Sequence, residues 1–235
     1  MPIPYAVAVV SAFIVGGYIR RREGVRLGYV RDPRYRWVGL ACLLGAVLGA
    51  KLGMLFYLSV DQLLELGARA ADLRFDGKTV LGAITGGYIA GELAKKALGV
   101  RYSTGDALAV ALPVGQAIGR LGCFFTGCCF GAPCELPWSV AQHDALRHPV
   151  QLYESAACLA LAGWLWSTRT RPRRAGFLFR YYLIGYAAIR FSMEFFRGEP
   201  QRQLGPLSYA QVYCLIIALV FAVSLRGKHG DATMR

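Results

Sequence analysis

Apolar residues in this chain gather in blocks, and the polar stretches between them are short and rich in arginine. Seven blocks can be drawn, at residues 3–18, 37–60, 79–93, 106–118, 150–166, 176–196 and 207–225. Blocks of roughly 15 to 25 residues are what a helix needs to cross the hydrocarbon of a bilayer. The pattern therefore predicts an all-α, polytopic integral membrane protein with about seven transmembrane helices, built as one transmembrane domain over 1–235.

The polar stretches carry the orientation. Arg20, Arg21, Arg22, Arg26, Arg31, Arg34 and Arg36 follow the first block, and Lys95 and Lys96 follow the third. Arg169, Arg171, Arg173 and Arg174 follow the fifth block, and Arg226 and Lys228 the last, whereas 129–149, the longest loop, is nearly devoid of basic residues. Positive charge stays on the cytoplasmic side, which places the N-terminus outside and the C-terminus in the cytoplasm. A cleavable leader has its charge before the apolar run; here the charge follows, so the first block reads as an uncleaved span.

Some residues inside the blocks break the apolar pattern. Gly45, Gly49 and Gly53 recur at every fourth position of the second block, and Gly82, Gly86, Gly87 and Gly91 line the third. Small residues on one helix face allow close packing in lipid. Lys51, in the middle of the second block, must face the interior or a wet cavity, either paired with an internal carboxylate or taking part in chemistry. Pro113 interrupts the fourth block, and LLELGARAADL within the mixed-charge loop 61–78 reads as a short interfacial helix.

Composition agrees with the pattern. The chain is 55% hydrophobic and 17% charged, with a mean hydropathy of +0.39, whereas soluble domains carry about a quarter charged residues. The net charge of +13 lies in the loops, where it sets orientation and attracts anionic headgroups. It forms no basic face outside them, which argues against nucleic acid as a partner.

The chemistry concentrates in GRLGCFFTGCCFG, residues 119–131. Arg120 there and Arg190 in the sixth block would lie in the outer half of the membrane, each either snorkelling or holding a phosphate with its planar fork. Glu194 and Arg197 lie three apart near Arg190, spaced for a local ion-pair network that fixes the arginines. His148 is a candidate general base, or else a packing residue beside Pro149. Gln151 and Glu154, also three apart, could share a cavity face with Tyr153 nearby, and Asp106 reads as a helix cap.

Cys123, Cys128, Cys129 and Cys134 fall near the outer face. Packing or a disulfide, a reactive thiol pair, and a metal site all remain open for them, the last disfavoured because the spacing fits zinc poorly and no His intervenes. Cys42, Cys158 and Cys214 lie within blocks and read as core.

Several motifs in order carry a resemblance. GRLGCFFTGCCFG, then RHPVQLYE (147–154), then RFSMEFFRG around Arg190, Glu194 and Arg197, resemble the bacterial prolipoprotein diacylglyceryl transferases. GAKLGMLFY (49–57), with Lys51 where the family usually has Arg, and GDALAVALPVGQAIGR (105–120), with Asp106 and Gln116, are similar too, as are Ser208 and Gln211 at the last block. The resemblance implies a seven-span enzyme of the bacterial cytoplasmic membrane, needing no metal, nucleotide or other cofactor. Its partners would be membrane lipid, with phosphatidylglycerol as donor, and a prolipoprotein or other thiol acceptor. Arg120, Arg190, His148 and Cys128 are then expected to be catalytic. Lys51, Gln116, Cys123, Gln151, Tyr153, Glu154, Glu194 and Arg197 are expected to bind substrate.

The chain also departs from that family. Cys123, Thr126 and Cys128 stand where the signature has two Asn and a Glu, and Leu81-Gly82-Ala83 stands for the family's His-Gly-Gly. A second reading thus keeps the scaffold but uses Cys123, Cys128 and Cys129 for redox or soft-metal handling. A transporter, suggested by the Gly-rich and Pro-broken spans, lacks a visible inverted repeat.

Overall fold

The structure, a computed structural model, describes residues 3–53, 79–198 and 203–226. Seven α-helices run through them: α1 (Ile3–Arg26), α2 (Arg34–Leu52), α3 (Val80–Ala97), α4 (Ala111–Phe125), α5 (Val150–Thr168), α6 (Phe177–Glu194) and α7 (Tyr209–Arg226). Two short antiparallel hairpins accompany them, β1 (Val140–Gln142) with β2 (Ala145–Arg147), and β3 (Gln203–Leu204) with β4 (Leu207–Ser208). The class is all-α, as the apolar blocks predict. The expected helix within 61–78, and the end of the second block, lie outside the described residues.

The helices fall into two compact units, one with α2 and α3, the other with α1 and α4 to α7. In the first, the glycine spacing has its predicted effect. A β-carbon on Gly49 would strike the Gly82 carbonyl and Gly86 Cα, and one on Gly86 would strike the Gly45 carbonyl and Gly49 Cα. The two backbones therefore touch along the seam, an approach only glycine permits. Beyond the helix ends, Tyr29 stacks on Tyr102 with ring centroids 4.7 Å apart, and the Tyr102 hydroxyl donates to Asp32 at 3.2 Å. Asp32 also pairs with Arg34 at 2.9 Å.

In the second unit α1 packs on α4, α4 on α5, α5 on α6 and α6 on α7. Helix α1 does not stop at Tyr18 but runs through its arginines, which are good helix formers, to Arg26. Glu23 is buried near its end and pairs with Arg26 at 2.6 Å and with Arg169, just past α5, at 3.2 Å. The fourth block is shifted as well. Its helix begins at Ala111 rather than 106 and continues through Arg120 and Cys123 to Phe125. Pro113 therefore lies in the first turn of α4, where no intrahelical N–H is required, and interrupts nothing.

Asp106 is a cap, but for a distant helix. Its carboxylate accepts from the Gly176 N–H at 2.6 Å and the Phe179 N–H at 3.0 Å, closing the N-terminus of α6. An acidic group there satisfies orphan donors and meets the positive end of the helix dipole. Ser208 and Gln211 cap α7 reciprocally: the Gln211 N–H donates to Ser208 Oγ at 3.2 Å, and the Ser208 N–H to Gln211 Oε1 at 2.9 Å.

Among the described residues two helices, α1 and α2, are long and apolar enough to cross a membrane, and Tyr209–Leu225 forms a shorter apolar helix. Large apolar side chains such as Val10, Phe13 and Ile14 on α1 and Leu219, Val220 and Val223 on α7 stand exposed. Continuous apolar faces of this kind suit a lipid surround.

Candidate active site

Polar residues in the second unit line up at helical spacing on three neighbouring helices. Gln116 and Arg120 follow one face of α4, Glu154 opens α5, and Tyr182, Tyr186 and Arg190 recur every fourth residue on α6. Such spacing stacks side chains one above another. Ser155 Oγ donates to the Ala117 carbonyl at 3.0 Å, pinning α5 against α4 at this level.

Arg120 Nη2 meets Glu154 Oε1 at 2.9 Å, and the Tyr186 hydroxyl donates to the same oxygen at 3.3 Å. Arg190 Nη1 meets Glu194 Oε2 at 2.5 Å, with Arg197 Nε 3.9 Å from that oxygen. Arg190 also lies within electrostatic reach of Glu154, Tyr186 and Arg120. Both arginines are buried, at 9% and 7% exposure, and Glu154 is 2% exposed. Two guanidinium groups far apart in sequence thus share one low-polarity seam, where charges are weakly screened and unpaired ions are costly.

The thiols gather beside this seam. Cys123 in the last turn of α4 and Cys128 and Cys129 after it bring their sulfurs within 4.8 Å of one another. Gly127 and Cys129 both take positive φ, 68° and 57°, which folds the chain back over the helix end. A hydrogen bond with Cys123, together with the Arg120 and Arg197 guanidinium groups, holds the Cys129 thiol well below the usual thiol range, against burial acting the other way. Cys123, Cys128, Cys129 and Cys134 are all unbridged.

The family model for prolipoprotein diacylglyceryl transferase matches residues 3–226. The chain belongs to this family. A phosphatidylglycerol–prolipoprotein diacylglyceryl transferase of Bordetella avium is 34% identical over 213 residues, spanning 87% of this chain and 78% of the relative. The corresponding protein of Clostridium tetani is 29% identical over 227 residues, spanning 92% and 89%. That of Rhodospirillum centenum is 34% identical over 218 residues, spanning 87% and 78%. The prolipoprotein diacylglyceryl transferases are polytopic membrane proteins, in keeping with the apolar blocks.

In this member of the transferase family the expected site residues separate into groups. Arg120, Glu154, Arg190, Glu194 and Arg197 form the ionic seam. Gln116 lies on its flank beside Tyr182. Gln151 is 1% exposed, and its amide donates to the Cys128 carbonyl at 2.9 Å and to Gln142 Oε1 at 3.3 Å, so it holds the thiol loop in place. His148 and Tyr153 belong to an aromatic cluster with Phe196, and Tyr153 accepts from Trp138 Nε1 at 2.7 Å. His148 Nδ1 is buried and has no hydrogen-bond partner among the described residues. Lys51 stands half-buried in the last turn of α2, not at a helix centre.

The loop 129–149 is more ordered than a bare loop. β1 and β2 form a hairpin whose turn, His143 and Asp144, has both residues at positive φ, and His143 Nε2 donates to the Gly127 carbonyl at 2.7 Å. A backbone bridge between Gly131 and Arg197 ties this loop to the chain after α6. Two site residues escape the sequence reading. Tyr186 was legible, four residues before Arg190 on the same face. Tyr5, within electrostatic reach of Cys123, Cys128, Cys129 and Arg120, sits near the start of α1, and no local pattern marks it.

Proposed function

We propose that this chain transfers a diacylglyceryl group from phosphatidylglycerol to a prolipoprotein cysteine thiol, at the outer side of the bacterial cytoplasmic membrane. The observation that carries the proposal is the convergence of buried Arg120 and Arg190 on the Glu154–Tyr186 seam. Each guanidinium has five N–H donors, and its ion pair leaves donors over for phosphate oxygens. The lipid enters sideways between helices and presents its phosphate to both arginines.

The acceptor sulfur attacks the glyceryl carbon that bears the phosphate ester. A carbon–sulfur bond forms, the carbon–oxygen bond breaks, and glycerol phosphate leaves with the bonding electrons. Charge growing on the departing phosphate is what the two arginines stabilise. Glu154 and Glu194 hold those arginines in position. The thiol proton goes to His148, whose Nδ1 has no hydrogen-bond partner among the described residues. Gln116 and Cys123 line the lipid side, and Cys128, Gln151 and Tyr153 line the side from which the acceptor arrives. The whole chain acts as one transmembrane domain of seven spans, to which Lys51 belongs.

The orientation follows the same logic. Tyr5 at the start of α1 lies by the thiols, while Glu23 at its end meets Arg169 past the end of α5. The arginine-rich ends therefore lie opposite the seam, which supports an outer N-terminus and a cytoplasmic C-terminus.

The test incubates purified protein with phosphatidylglycerol vesicles and a lipobox peptide and follows the peptide by mass spectrometry. The expected result is a diacylglyceryl adduct with equimolar glycerol phosphate, falling about 100-fold or more in Arg190→Ala. Glycerol phosphate without a peptide adduct would reassign the acceptor. No release in either channel would overturn the proposal.

A further inference from the structure

The transferase reading, on which this inference builds, gives Cys123 and Cys128 places in the lining but does not require three thiols side by side. Its three sulfurs come from the last turn of α4 and the fold-back that follows, and each lies within 4.8 Å of the others. Cys134, also in the loop, is not among them. The fold-back is held in place: Gln151 holds the Cys128 carbonyl at 2.9 Å, His143 holds the Gly127 carbonyl at 2.7 Å, and Thr126 Oγ1 donates to the Gly122 carbonyl at 3.0 Å. The spacing along the chain disfavours a metal, yet folding brings the ligands together where spacing alone did not.

We propose that Cys123, Cys128 and Cys129 form a three-coordinate site for one soft monovalent ion of the copper(I) class. Metal–sulfur bonds of about 2.3 Å place the sulfurs of a planar trigonal complex about 4 Å apart. The observed triangle needs only a small inward shift to reach that size. Among the described residues the cluster contains thiols alone, with no imidazole or carboxylate. An all-sulfur set selects soft ions over magnesium, calcium or manganese. Three ligands fall short of the four of a structural zinc site.

Charge favours the same ion. Three thiolates around a monovalent ion carry two net negative charges, and Arg120 and Arg197 lie within electrostatic reach of Cys129. Binding breaks up to three S–H bonds, releases the protons to solvent and forms three metal–sulfur bonds, with no change of oxidation state. Affinity consequently rises with pH until the thiols are fully ionised.

The experiment titrates reduced, full-length protein in nanodiscs with copper(I) under anaerobic conditions, against a chromogenic chelator that competes for the ion. One copper(I) per chain is expected, with X-ray absorption showing three sulfurs at about 2.3 Å. Cys128→Ser/Cys129→Ser should lose more affinity than the roughly 10–100-fold that removing an outer partner costs a metal site. Cys134→Ser should bind like the parent, and circular dichroism checks that both variants are folded. Equal binding by parent and double variant, a two-sulfur linear spectrum, or no binding at all would each overturn the proposal. The readout is independent of lipid turnover. Copper binding without peptide modification would sink the transferase reading alone, and modification without copper binding would sink this one alone.

Discussion

The seam between α2 and α3 and the seam shared by α4, α5 and α6 both bring apolar helices together, by opposite means. The first removes side chains until backbone meets backbone, with Gly45 and Gly49 against Gly82 and Gly86. The second inserts charge and pairs it, Arg120 with Glu154 and Arg190 with Glu194, whose carboxylate Arg197 also approaches. A seam made of absences is damaged by adding atoms. A seam made of paired charges is damaged by taking one member away. The first kind brings backbones into contact, and the second keeps ionised groups paired inside the bundle.

The largest effect should come from stripping the ionic seam. Glu154→Ala leaves Arg120 buried without its carboxylate and Tyr186 without its acceptor, an imbalance that costs about 3–5 kcal/mol. Chemical denaturation in micelles should show that loss, and a midpoint matching the parent would mean the pair contributes nothing. Gly86→Val should come next. Its side chain would meet the Gly45 carbonyl and Gly49 backbone, and overpacking typically costs about 1–3 kcal/mol. An unchanged midpoint would show that α2 and α3 part easily.

The smallest effect should have the opposite sign. A β-carbon on Gly163, in the middle of α5, would meet nothing within 4 Å. Gly163→Ala should therefore stabilise by about 0.5–1 kcal/mol through helix propensity alone. Should it destabilise as much as Gly86→Val, the contrast between seam and free glycines would fail.

The two seams were not equally legible in the sequence. A glycine at every fourth position carries its own instruction, because the periodicity names the face and the missing side chain names the use. The ionic seam gave its members but not its pairings. Arg190, Glu154 and Glu194 stand out as charges in apolar blocks and Arg120 at the end of one, yet nothing in the order of residues links Arg120 to Glu154 rather than to Glu194. That choice is made by helix packing. Asp106 shows the same limit, since its type announced a cap and only the fold named α6 as the helix capped. The apolar run before Pro113 begins five residues ahead of α4, so in the sequence a first-turn proline looks like an interior one. Cys123, Cys128 and Cys129 were read as ill-spaced along the chain, and positive φ at Gly127 and Cys129 brought them together.

The Asp106 cap has a consequence for depth. Arg120 lies fourteen residues beyond Asp106, and Arg190 fourteen beyond Gly176, the residue whose N–H that aspartate holds. One carboxylate thereby sets a common starting level for two largely helical segments of equal length. Helical segments of that length run about 20 Å at 1.5 Å per residue, and the two arginines at their far ends lie within electrostatic reach of each other. Lengthening either segment by one residue would turn its arginine by about 100° and separate the two, without altering a single atom they touch.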